Sequence, residues 1–160
     1  MLMNPATPFS GLALKEIQAA AQVRRVRIRV LEARKPDDVL NAMGEIDKDV
    51  IAGLIVLADP LLRSRHKQIV EQAIKKKLPT VFGYRDYVEA GGLMSYGPDR
   101  RQFYVRTAEY VDKILKGVRP ADLPVEQPSK FEFVINARTA RALGLVMPVA
   151  LLATADEVIE

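Results

Sequence analysis

Hydrophobic positions change their period several times along this chain, and each change marks an element. Met1 to Met3 read as the end of a buried strand, followed by a turn at Asn4-Pro5-Ala6-Thr7-Pro8. Leu12, Ile17 and the alanines up to Ala21 form a helical stripe, with Ser10 as its expected cap. Val26, Ile28 and Val30 then alternate with Arg25, Arg27 and Arg29, a period of two that predicts a strand near a sheet edge. Lys35-Pro36-Asp37-Asp38 opens a second helix, with Val39, Leu40, Met43 and Ile46 facing inward. Val50 to Ala58 is almost continuously apolar, as a parallel strand covered on both faces should be. Asp59-Pro60 stops it and starts a helix predicted to run to Lys77. Leu78 to Gly83 is the next strand, and a short helix from Asp86 to Ala90 leads to Gly91-Gly92.

Strands and helices that alternate with short connections predict an α/β fold with a doubly wound parallel sheet. Residues 1–92 read as one complete α/β lobe. From Gly91 the pattern differs: a short strand, a long amphipathic helix over Arg100 to Lys116, a crossing with three prolines from Pro120 to Pro128, then strand and helix again. On the long helix Tyr104, Ala108, Val111 and Leu115 share one face, and Gly117 closes it. Phe131, Phe133 and Ile135 set the last clear strand, and Asn136 can cap the helix that ends at Gly144. Residues 93–160 therefore read as a hinge-crossing segment that completes a second lobe whose N-terminal part is absent. Apolar faces without a partner usually find one. The tail is expected to fold back on its own lobe or to pair with another copy as a homodimer.

Composition removes several functions. Hydrophobic residues make up 49% and charged residues 28%, ordinary for a globular domain. No apolar run reaches eighteen residues, and no signal peptide is legible at the start. Cysteine is absent, which excludes disulfides and thiolate chemistry. The net charge of +4 is a mild excess, and its densest run, Lys75-Lys76-Lys77, ends a helix where cations offset the dipole. No nucleic-acid partner is expected. The one histidine, His66, sits between Arg65 and Lys67 in a helix and is expected to be solvated. No G-x-S-x-G, P-loop, G-x-G-x-x-G or metal-ligand spacing occurs. An acidic phosphoacceptor site is also rejected, because the first strand is followed by Asn4-Pro5 and not by paired acids. No enzyme activity, cofactor or metal is expected.

Ligands of open parallel sheets bind beyond the carboxyl ends of the strands. The loops there hold Asn4, Thr7 and Phe9, then Asp59, then Tyr84 and Arg85, then Tyr96 and Asp99. Free N–H groups at a helix start favour an anion. Asp59 suits an ammonium group and Arg85 a carboxylate. Phe9, Tyr84 and Tyr96 offer rings for stacking. The plainer alternatives are that Asn4 and Asp59 cap turns and helices, that Arg85 is a surface charge, and that Tyr96 packs at the domain crossing.

Several of these segments together resemble one family. They are Asn4-Pro5-Ala6 after a strand, Ala58-Asp59-Pro60, the run from Val88 to Asp99, Tyr110 to Gly117, Ala121 to Pro128, Phe131 to Leu145 and the closing Ala155 to Glu160. In these the chain resembles the substrate-binding proteins of ABC transporters of the tryptophan/tyrosine type. The resemblance implies one lobe of a periplasmic-binding-protein type I fold, here the C-terminal half, plus a segment of the other lobe. It implies a component of an ABC importer that binds a small solute such as an amino acid between two lobes, with an ABC permease as partner through the full-length parent. It implies a periplasmic or lipid-anchored extracytoplasmic location for that parent. The same fold also serves ligand-sensing modules of regulators and receptors, which is the alternative reading. The sequence departs from the family pattern at Gln22-Val23-Arg24-Arg25, where a Gly-containing turn is usual, and at Thr154, where Arg is usual.

Overall fold

The computed structural model describes all 160 residues. The first part alternates β1 (Leu2–Met3), α1 (Ser10–Val23), β2 (Leu31–Glu32), α2 (Pro36–Gly44), β3 (Leu54–Val56), α3 (Pro60–Ser64), α4 (His66–Lys75), β4 (Thr80–Phe82), α5 (Asp86–Glu89) and β5 (Met94–Pro98). After it come α6 (Arg100–Leu115), a 3₁₀ turn at Pro120–Asp122, β6 (Phe131–Asn136), α7 (Ala137–Ala142), α8 (Val149–Ala153) and β7 (Glu157–Ile159). The strands form one seven-stranded sheet in the order β2-β1-β3-β4-β5-β6-β7. The first five run parallel, β6 runs antiparallel to β5, and β7 runs parallel to β6.

Alternation decides which side chains reach the core. Leu54, Val56, Thr80 and Phe82 are buried on one face, while Ile55 and Val81 between them point to the other and stay half-covered. The buried face packs against Val39 and Met43 of α2, Leu62 of α3, Ile69 and Val70 of α4 and Tyr87 of α5. Phe82 and Tyr87 stack with ring centroids 4.5 Å apart. Each such fully buried apolar side chain stabilises the fold by about 1.5–3 kcal/mol. The opposite face carries α1, of which only Ser10 and Ala21 are buried.

Several expectations are met differently. The arginine-studded stretch 25–30 lies at the sheet edge as expected, but ladder pairing starts only at Leu31 and Glu32. Alternate charges and the left-handed turn at Arg25 blunt that edge. The helix expected from Pro60 to Lys77 breaks at Arg65, whose φ of −108° and ψ of 14° interrupt the ladder. His66 thereby begins α4 and is half-buried, not solvated, with its ring edge-on to Tyr87 at 5.9 Å. Ser10 does not cap α1; it is the first helical residue and is buried. Asn136 does cap α7, its Oδ1 accepting from Thr139 N–H at 2.9 Å.

Strands β5, β6 and β7, which lie in the segment expected to complete a second lobe, continue the sheet of residues 1–92. Antiparallel pairing achieves this: Met94 sits opposite Ile135 and Pro98 opposite Phe131. Helix α6 stands apart from the sheet with no buried residue.

Candidate functional site

The parallel strands all end on one side, and the loops after β1, β3, β4 and β5 gather there. Each loop is shaped by its own short-range chemistry. Pro60 at the start of α3 and Asp59 before it make a capped helix entry, with Asp59 Oδ1 accepting from Leu62 N–H at 3.0 Å. Asp99 does the same for α6, accepting from Arg101 N–H at 3.0 Å. Gly83 and Gly97 allow β4 and β5 to close up at this end: a Cβ on Gly97 would fall 2.2 Å from the Gly83 carbonyl oxygen.

The eight candidate residues divide into three groups. Asn4, Thr7 and Asp59 make a polar knot. Asn4 Nδ2 donates to Asp59 Oδ2 at 3.2 Å, the Thr7 hydroxyl donates to the same oxygen, and Asn4 Oδ1 accepts from Ala6 N–H at 3.0 Å. Asp59 is 1% exposed, and both its oxygens are engaged. It fastens the loop after β1 to the start of α3, and the capping alternative describes it.

Thr7, Phe9 and Tyr96 form the second group. They line an open, largely apolar groove of about 500 Å³ that also touches Gly83, Gly97 and Phe131. Phe9 is 76% exposed and Tyr96 59% exposed. Tyr96 stacks on Phe131 with centroids 5.6 Å apart and meets Phe133 edge-on at 6.4 Å. Large aromatic rings left in water beside the strand ends form a surface that a flat apolar group can cover.

Tyr84, Arg85 and Asp99 belong to a charged group. Arg85 is not a free surface charge. Its Nε donates to Glu89 at 2.8 Å, its Nη1 to Glu132 at 2.8 Å, and both Nη atoms to Glu157 at 2.7 Å. The hydrogen bonds to Glu157 and then to Glu89 push the guanidinium further above its ordinary range, and Arg85 in turn holds the Glu157 carboxyl below the usual carboxylate range. A solute carboxylate at Arg85 would have to displace one of these three. Tyr84 packs against the core on one side and lies near two guanidiniums, Arg63 at 5.9 Å and Arg100 at 5.8 Å from its ring centre. Asp86 bridges those two arginines. Asp99 also meets Lys130 Nζ at 3.4 Å.

Arg63, Arg100 and Phe131 were not among the candidates. A signal for Arg100 was present: Arg100-Arg101 place two cations in the first turn of a helix, where the dipole disfavours them. Phe131 is 35 residues from Tyr96, and only strand pairing brings them together.

The comparisons agree on what this architecture resembles. A solved structure of a conserved domain protein from Vibrio cholerae superposes with a TM-score of 0.87 at 29% identity, covering 98% of this chain and 53% of that one. An ABC domain from Streptococcus pneumonia in complex with L-Trp gives a TM-score of 0.88 at 25% identity, covering 99% of this chain and 53% of that one. The ligand-free, open structure of a substrate binding protein with adhesive properties from Clostridium difficile shares the fold, with a TM-score of 0.68 at 21% identity over 99% of this chain and 52% of that one. The chain thus spans about half the length of these structures. No curated protein matches it in sequence. The family model described as ABC transporter substrate binding protein matches residues 1–159, and a match over nearly every residue means that the chain belongs to that substrate-binding family.

Proposed function

We propose that this chain forms one side of a solute-binding site that serves an ABC importer. The solute is a small molecule such as an amino acid, and a facing lobe supplies the other side. The observation that carries this reading is the whole-chain family match. The L-Trp complex of a structural neighbour supports an amino acid as solute, and members of this family work outside the cytoplasm in general. Phe9 and Tyr96 contact the solute in this reading, with Thr7 beside them. Asn4, Asp59, Arg85 and Asp99 hold the loops in place, and Tyr84 with its two arginines forms the polar flank. The chain carries out no reaction; closure of the two sides around the solute creates the shape that a permease recognises.

Half a cleft makes half the contacts. A full site with a dissociation constant of about 1 μM draws on about 8 kcal/mol, and half of that leaves about 4 kcal/mol, or roughly 1 mM. Titration of the chain with an amino-acid panel, read by tyrosine fluorescence in this tryptophan-free protein, should give such weak saturation for at least one solute. Tyr96→Ala should abolish it without lowering the melting temperature, because Tyr96 is largely exposed. Submicromolar binding by the monomeric chain would rule out a half site. Saturation that survives Tyr96→Ala would move the site elsewhere.

A further inference from the structure

Helix α6 is held to the α/β lobe at one end only. Of its 16 residues, Arg100 and Tyr110 alone are even partly covered. Tyr110 is covered from within residues 100–129, the excursion between β5 and β6, where its hydroxyl donates to the Pro124 carbonyl at 2.7 Å. Arg106, Lys116 and Arg119 likewise pair with Glu126, Asp112 and Asp122 of the same stretch. Arg100 is the one residue of the excursion whose side chain forms an ion pair outside it. Its Nη1 lies 3.5 Å from Asp86 Oδ2 in α5, and its guanidinium stands 5.8 Å from the Tyr84 ring centre.

Asp86 is shared. Arg63 of α3 brings both Nε and Nη2 to the same carboxylate oxygen, and it also lies over the Tyr84 ring, at 5.9 Å. Two guanidiniums thus draw on one negative charge, and the one that belongs to the lobe has the closer, two-nitrogen grip. A longer contact through a single nitrogen, between partly exposed groups, is the weaker of the two and is screened by salt. Asp86 also offsets the unfavourable meeting of Arg100 with the positive end of the α6 dipole.

Below Arg100 the excursion joins the sheet through two adjacent backbone crossings, tied by Asp99 N–H to the Lys130 carbonyl at 3.0 Å. Such a ribbon is one backbone thick and bends more readily across its plane than within it. The helix extends about 24 Å from that point, so a tilt of about 20° carries Leu115 by roughly 8 Å. We propose that Arg100 is a latch that sets the tilt of α6 on the lobe, with Asp86 as its catch and Arg63 as a competitor that keeps it releasable. The latch stands on the geometry of this chain and holds whether or not the chain binds a solute.

The absence of cysteine lets two spin labels be placed at will. Glu71→Cys at an exposed position of α4 and Leu115→Cys at the far end of α6 report the tilt as a distance distribution. At low ionic strength that distribution should be narrow. At about 1 M salt, where the Debye length falls to ~3 Å, it should broaden by several Å. Arg100→Ala should give the broad distribution at every salt concentration, with an unchanged circular dichroism spectrum. Arg63→Ala leaves Asp86 to Arg100 alone and should keep the distribution narrow to higher salt. Arg119→Ala breaks a pair inside the excursion and should change nothing. A broad distribution at low salt with Arg100 in place overturns the proposal. So does a width that Arg100→Ala leaves unchanged, equal broadening by Arg119→Ala, or release at lower salt in Arg63→Ala.

Discussion

Asp59 acts through position, not exposure. One carboxylate takes the Leu62 N–H, the Asn4 amide and the Thr7 hydroxyl, and so joins two strand-end loops that are more than fifty residues apart. Asp59→Ala removes a helix cap worth ~1 kcal/mol and leaves buried donors unpaired at about 1–3 kcal/mol. Urea denaturation should show a loss of roughly 2–4 kcal/mol, and Asp59→Asn should recover part of it. No change in midpoint would contradict the knot. Asp59 was legible as a cap because Asp-Pro after an apolar run is a local signal. The engagement of Arg85 was not, since Glu132 and Glu157 lie 47 and 72 residues away and nothing near Arg85 announces them.

Among elements, Arg85 clips the end strands to the lobe. β6 and β7 carry Glu132 and Glu157, and the loop after β4 carries their common partner. Glu157 has its carboxyl pKa lowered from the ordinary 4.5 by Arg85. A depressed folded value means a contribution complete above the unfolded value and lost as pH falls through the lower, folded one. Amide exchange in β7 should therefore quicken below about pH 4.5 relative to β3 and β4, and an Arg85→Ala chain should show no such step. An identical pH profile in both chains would contradict the clip. The position of the central strand β3 could be read from sequence because Val50 to Ala58 is nearly all apolar, but only Leu54–Val56 of that run form the strand, and Val50 is exposed. The pairing of β6 could not be read, because its partner β5 is separated from it by α6 and the crossing. The break at Arg65 was also hidden: the apolar positions of α3 and α4 keep helical spacing across it.

In the whole molecule, the chain leaves the sheet at Pro98 and returns to the neighbouring place at Phe131. Departure and return are fastened together, with Asp99 N–H donating to the Lys130 carbonyl at 3.0 Å. Everything between is therefore an excursion inserted at a hairpin mouth, held to the lobe otherwise by Arg100 at Asp86 and Tyr84. The sheet should tolerate its removal: residues 100–129 replaced by Asn-Gly leave β5 and β6 ready to close as a two-residue hairpin. That shortened chain should keep the melting transition of the α/β lobe. Failure to fold would mean that the excursion supports the sheet. An antiparallel strand beside a parallel sheet is thus the socket that carries a projecting excursion without loosening the core.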